Sequence, residues 1–135
     1  VGSEMCIRDR SQACDVLGEL GEIGVRLSVD DFGTGYSSLR YFKEFRLDEV
    51  KIDRLFVDSM RGDGRDRAVI RSIVELARGF GLGVIAEGIE DAETAQVLVG
   101  LGCELGQGYH FTAPLFASDF KRWYREWTRE RIRAA

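Results

Sequence analysis

The chain repeats one pattern four times: a short apolar stretch, a loop rich in glycine or acid, then an amphipathic helical segment. That alternation builds a parallel sheet, because two parallel strands can only be joined by a crossover long enough to hold a helix. The predicted strands are residues 25–29, Glu49–Ile52, Gly83–Ala86 and a weaker one near residues 103–105. A helix through about residues 11–20 precedes them. It carries Ala13, Val16, Leu17 and Leu20 on one face and ends at Gly21 and Gly24.

The helices after the strands show their own signals. The first carries Leu39 and Phe42 and follows the Gly33 to Ser38 loop. The second, expected after a loop through Gly62-Asp63-Gly64, runs over about residues 67–79. It places Val69, Ile73, Leu76 and Phe80 on one stripe, with Asp66 as N-cap and Gly81 as stop. The third spans about residues 92–100. The last follows Pro114 and offers Phe116, Phe120, Trp123 and Trp127 as a core-facing stripe.

At 135 residues and 44% apolar composition, one ordinary domain with a real core is expected. Nineteen Lys and Arg against 23 Asp and Glu leave a net charge of −4, which gives no overall attraction to nucleic acid or an anionic membrane. Six basic residues on the last helix, from Lys121 to Arg133, are read as a solvated face. Cys6, Cys14 and Cys103 fit no disulfide framework or zinc spacing, and His110 is the sole histidine, read as a packed loop residue. No apolar run approaches the ~20 residues that span a bilayer. Reduced thiols and a cytoplasmic chain are the expectation, with membrane anchoring of a larger parent left open.

The loops after the strands hold the chemistry. The first apolar run ends in Asp30-Asp31-Phe32-Gly33-Thr34-Gly35-Tyr36-Ser37-Ser38-Leu39. Two carboxylates before a glycine-bracketed turn suit hard divalent cations and a phosphoryl substrate, although Asp with Gly also makes plain turns and helix caps. The later strands end in Lys51-Ile52-Asp53, Glu87-Gly88-Ile89-Glu90 and Gln107. Parallel βα repeats gather ligands at the carboxyl ends of their strands, so four polar endings in the same place point to one site. Asp30 and Asp31 supply metal ligands, Glu87 a ligand or proton acceptor, and Lys51 a fixed cation for a phosphate oxygen. The structural alternatives are a Lys51–Asp53 ion pair and Glu90 as cap of the helix near Ala92. Gly81-Leu82-Gly83 precedes a strand instead of following one, so it does not have the context of a dinucleotide-binding motif.

The Asp30 to Leu39 run, Lys51-Ile52-Asp53, Ala86-Glu87-Gly88-Ile89-Glu90 and Gln107-Gly108-Tyr109 together resemble the C-terminal half of the EAL domain family, bacterial phosphodiesterases of cyclic di-GMP. The resemblance covers about residues 11–120. It implies an α/β fold: part of a TIM-type (β/α)8 barrel, with about four C-terminal βα units. It also implies hydrolysis of cyclic di-GMP to linear pGpG with two Mg²⁺ or Mn²⁺ ions. By that resemblance Asp30, Asp31 and Glu87 bind metal, and Lys51 and Glu87 are catalytic. Asp53, Glu90 and Gln107 bind substrate or support the site, Glu90 by holding the loop after Asp31. Phe32, Gly33, Thr34 and Gly35 belong to a loop coupling the site to a family homodimer interface. An upstream sensory or GGDEF-type domain is a further implied partner.

The Glu-Ala-Leu motif of the family's first strand is absent, as are the asparagine and glutamate ligands of its first half. Residues 1–10 do not resemble that pattern and are read as a foreign leader, with residues 11–135 as the half domain. Four parallel strands leave two open edges and, on the sequence pattern, an apolar inner face, so self-association is expected. Two functional classes remain: part of an active phosphodiesterase, inert by itself, or a module that binds cyclic di-GMP or a protein without hydrolysis.

Overall fold

The computed structural model describes residues 13–33, 41–62 and 64–134. Four strands, β1 (Ser28–Phe32), β2 (Glu49–Ile52), β3 (Gly83–Ala86) and β4 (Leu105–Gly106), form one sheet in the order β1-β2-β3-β4. Every neighbouring pair is parallel, as the alternation requires. The described helices are α1 through residues 13–22, α2 (Tyr41–Glu44), α3 (Arg54–Ser59), α4 (Gly64–Gly79), α5 (Ala92–Leu101) and α6 (Ala117–Ala134). None is long and apolar enough to cross a membrane.

The core lies between the sheet and the helices on one side of it. Val50, Ile52, Ala86 and Ile70 are completely buried, and Val57, Val74 and Leu98 nearly so. Burying each such aliphatic side chain contributes about 1.5–3 kcal/mol. The ring of Phe32 meets Phe42 edge-on at 5.1 Å, and Phe42 contacts Phe80 at 5.4 Å, joining the end of β1 to α2 and α4.

Several expectations shift. The first strand starts at Ser28, three residues later than the apolar run suggests. Asp48 Oδ2 accepts from the Leu27 N–H at 2.7 Å, and the Leu27 carbonyl takes the N–H groups of Asp48 and Glu49, so a loop contact replaces the sheet there. α1 continues to residue 22, and its Val16 stays half exposed. α4 starts at Gly64, which puts Asp66 inside the first turn instead of at the cap. The buried stripe of α4 is Ile70, Ile73, Val74 and Ala77, while Val69 and Phe80 are 36% and 44% exposed. At ~100° per residue, a stripe centred one position later faces the sheet.

The weak fourth strand sits at Leu105–Gly106, with Cys103 buried before it; burial pushes its thiol up to about 11. Cys14 and Cys103 are both free. On α6 only half of the aromatic stripe packs. Trp123 and Trp127 line a cavity against α5, and Phe111 meets Trp127 at 5.9 Å. Phe116 and Phe120 are 83% and 49% exposed. His110 is half-buried against the Phe111 ring, as a packed loop residue should be.

The apolar inner face is also corrected. Register aligns Ser28 with Glu49 and Gly83, and Lys51 with Ile85 and Leu105, so the side away from the helices is mixed and partly charged. The two edges, β1 and β4, have one sheet neighbour each.

Candidate metal centre

In a regular strand, successive side chains point to opposite faces, so Asp30 and Asp31 would diverge. They do not, because β1 bulges. Val29 pairs with Val50 and Phe32 with Ile52, which sets three steps along β1 against two along β2. Asp31 takes up the extra residue with φ +50°, in the left-handed region that aspartate tolerates better than most residues. Asp30 Oδ1 accepts from the Asp31 N–H at 3.1 Å. Phe32 then buries its ring, and Gly33 turns the chain at φ +109° against Phe56, where a Cβ would come within 2.5 Å of the ring.

Glu87 reaches the same spot from β3, two strands away. Its N–H donates to the Ile52 carbonyl at 3.2 Å, extending the β2–β3 pairing past Ala86. Asp30, Asp31 and Glu87 each offer a carboxylate oxygen, all within 4.8 Å of one another. Lys51, from the strand between, donates to Glu87 Oε1 at 2.5 Å and to Asp30 Oδ1 at 3.2 Å. The sequence alternative of a Lys51–Asp53 pair is therefore not what forms.

The charges explain the titration. Asp30 beside Asp31, followed by partial desolvation and the nearby Asp53 and Glu87 carboxylates, raises the Asp31 carboxyl above the usual aspartate range. The hydrogen bond to Glu87 leads the causes that hold the Lys51 ammonium above the usual lysine range, against an opposing effect of burial. Three mutually repelling carboxylates with hard oxygen donors fit a divalent cation of the Mg²⁺, Mn²⁺ or Ca²⁺ type, which would relieve that repulsion.

The remaining candidates divide. Asp53 caps α3, accepting from the Leu55 N–H at 2.7 Å, and its carboxylate is among the neighbours that raise the Asp31 carboxyl. Glu90 does not cap α5; Asp91 does, through the Thr94 N–H at 2.9 Å, and that bond heads the causes that lower its own pKa. Glu90 instead accepts from Arg54 at 2.6 Å. Gln107 lies at the end of β4, its N–H on the Ala86 carbonyl at 2.8 Å. Among the described residues no side-chain hydrogen bond ties it to the carboxylates. Gly108 follows it so closely against the loop between β3 and α5 that a Cβ would sit 2.0 Å from the Ile89 carbonyl oxygen. Thr34 and Gly35 lie outside the described residues.

Sequence reasoning missed α3 and Arg54. An aspartate followed by Phe56, Val57 and Met60 at helical spacing carries a helix signal that the glycines of the Gly62-Asp63-Gly64 loop mask.

The family model described as EAL domain matches residues 2–114, starting inside the ten residues read as a leader. MucR of Pseudomonas aeruginosa, a bifunctional diguanylate cyclase and cyclic di-GMP phosphodiesterase, is 39% identical over 119 residues, covering 88% of this chain and 17% of MucR. The chain spans 14% to 17% of the length of four such curated relatives. A MucR phosphodiesterase structure in complex with cyclic di-GMP superposes with a TM-score of 0.76 at 40% identity, covering 84% of this chain and 46% of that one. Klebsiella pneumoniae BlrP1, solved with manganese and cyclic di-GMP, gives 0.71 at 36% identity over 76% of this chain and 26% of its own; a calcium complex of it also matches. The four parallel strands are thus part of a TIM-type barrel, and the chain belongs to the EAL domain family as a fragment of one such domain.

Proposed function

We propose that residues 11–135 form the C-terminal half of a metal-dependent phosphodiesterase that hydrolyses cyclic di-GMP to linear pGpG. The observation that carries this reading is the convergence of Asp30, Asp31 and Glu87 around Lys51. Asp30, Asp31 and Glu87 would hold part of a two-cation Mg²⁺ or Mn²⁺ site, completed by ligands from the upstream half of the barrel. When bound, such cations polarise a phosphoryl oxygen and lower the pKa of water to near neutral.

The chain's own residues do the rest. Lys51, held as an ammonium by Glu87 and Asp30, is a fixed positive charge facing developing negative charge, and it is not a proton acceptor at neutral pH. Glu87 is placed both to ligate and to take a proton from an attacking water. Asp53 supports Asp31, and Gln107 marks the end of the neighbouring strand where substrate would lie. The reading extends to a homodimeric intact domain coupled through Phe32, Gly33, Thr34 and Gly35, an upstream sensory or GGDEF-type domain, and the cytoplasm as compartment. MucR, which carries both activities in one protein, supports the partner domain.

The test is production of pGpG from cyclic di-GMP with Mg²⁺ or Mn²⁺. It compares this chain with a form carrying the upstream half of the domain, each beside Asp31→Ala. Only the extended, unmutated protein is expected to turn over. An extended protein that binds cyclic di-GMP without cleaving it would make the domain a receptor, and an Asp31→Ala variant at full rate would remove the proposed centre.

A further inference from the structure

The β3–α5 connection carries Glu87, Gly88, Ile89 and Glu90 past the start of α3, and one side chain spans the gap. Arg54 donates through Nη2 to Glu90 Oε1 at 2.6 Å and through Nε to Asp58 Oδ2 at 3.0 Å. Its aliphatic stem lies over Gly88. A Cβ there would come within 2.3 Å of Arg54 Cγ and 2.9 Å of its Cβ and Cδ, and Gly88 sits at φ +72°. The backbone on either side is already tied down: the Glu87 N–H bonds the Ile52 carbonyl at 3.2 Å and the Ile89 N–H bonds the Gln107 carbonyl at 3.1 Å. Gly88 is the hinge left between those two anchors, with no side chain to restrain it.

We propose that Arg54 is a positioning residue, clasping the β3–α5 loop onto α3 so that the Glu87 carboxylate stays at Lys51 and Asp30. Asp53, one residue earlier, caps the same helix, so Arg54 is held at the fixed start of α3. The Arg54 and Glu90 side chains are 57% and 54% exposed, so the pair adds little to global stability, and an effect on the aim of Glu87 is separable from unfolding. The chemistry it serves rests on the phosphodiesterase reading; the clasp itself is geometry.

The experiment uses the complete domain with its upstream half, with Mn²⁺ as the probe. It measures Mn²⁺ binding without substrate, steady-state hydrolysis of cyclic di-GMP, and thermal unfolding. Loss of an outer partner of a ligand typically weakens metal binding or activity 10–100-fold. Arg54→Ala is therefore expected to weaken Mn²⁺ binding and lower kcat about tenfold, with KM for cyclic di-GMP moving less than about twofold. Arg54→Lys, which keeps a charge and a stem over Gly88, should recover part of both. Asp58→Asn, which removes only the contact within α3, should behave as wild type.

The proposal is overturned if Arg54→Ala binds Mn²⁺ and turns over like wild type, or if Asp58→Asn reproduces its losses. Should Arg54→Ala fail to fold, Glu90→Gln decides: the same losses support the clasp and wild-type behaviour removes it. Mn²⁺ binding that depends on Arg54 in a domain without hydrolysis keeps the clasp and discards the phosphodiesterase. Hydrolysis indifferent to Arg54 does the reverse, and a domain that binds no Mn²⁺ sinks both.

Discussion

The two faces of the sheet are built from alternate residues of the same strands and do different work. Toward the helices, Val50, Ile52 and Ala86 are fully buried and Val84 nearly so. On the other side Glu49, Lys51 and Ile85 are half-buried, and the exposed carboxylates of Asp30 and Asp31 sit where the strands end. Cohesion comes from the first face and charge from the second. A cluster of like charges weakens a fold by itself, and here the buried face, one residue away, offsets that cost.

That contrast can be broken by design. The largest effect on stability is expected from Ile52→Ala, which empties a fully buried site and should cost about 2–5 kcal/mol in urea unfolding. Its neighbour Lys51→Met leaves the Glu87 carboxylate, only 19% exposed, without its cation, and should cost less than that, about 1–3 kcal/mol. In the complete domain it should nevertheless lower the rate of cyclic di-GMP hydrolysis about 10²–10³-fold, as loss of one preorganised donor does. If Lys51→Met instead unfolds the domain, or Ile52→Ala leaves stability intact, the division between the faces fails.

A smaller effect separates the charged cluster from an ordinary helix cap by pH. Asp91 has a lowered pKa, so its stabilising contribution is present above the ordinary aspartate value of 3.8 and is lost as pH falls through the folded value. Asp31 has a raised pKa, so its contribution has the opposite sense: present below 3.8 and lost as pH rises through the folded value. Asp91→Ala should therefore flatten the acid side of the urea-midpoint profile. Asp31→Asn should flatten the decline just above it and, in the absence of metal, leave the chain no less stable. Profiles that change in the same direction would mean the cluster is not repulsive.

The smallest effect is kinetic. Cys103, buried with its thiol pushed up to about 11, should react with a thiol reagent at neutral pH far more slowly than the partly exposed Cys14. Equal rates would show that the packed side opens readily.

Much of the site was legible because its residues lie at the ends of apolar runs, and strand ends can be read from local pattern. Asp30, Asp31, Lys51 and Glu87 needed only that and the parallel topology. Gln107 was placed at the right strand end, but a position in sequence does not aim a side chain. The sequence marks Glu90 and Asp53 as supports, while their contacts, Arg54 for one and the cap of α3 for the other, depend on a helix that the glycine signals around Gly62 obscure. The stripe of α4 was misjudged by one position, because periodicity gives an amphipathic face without saying which edge of it meets the sheet.

By itself, the sequence determined the alternation of strands and helices, hence a parallel sheet, and the kind of donors gathered at its carboxyl end. Those depend on short-range spacing and on which residues water excludes. Only the tertiary structure decided that two adjacent aspartates share one face, through a bulge in β1 and a left-handed Asp31, and that Lys51 joins Asp30 to Glu87. Register, bulges and long-range ion pairs are set by packing between segments distant in the chain, which no local pattern encodes.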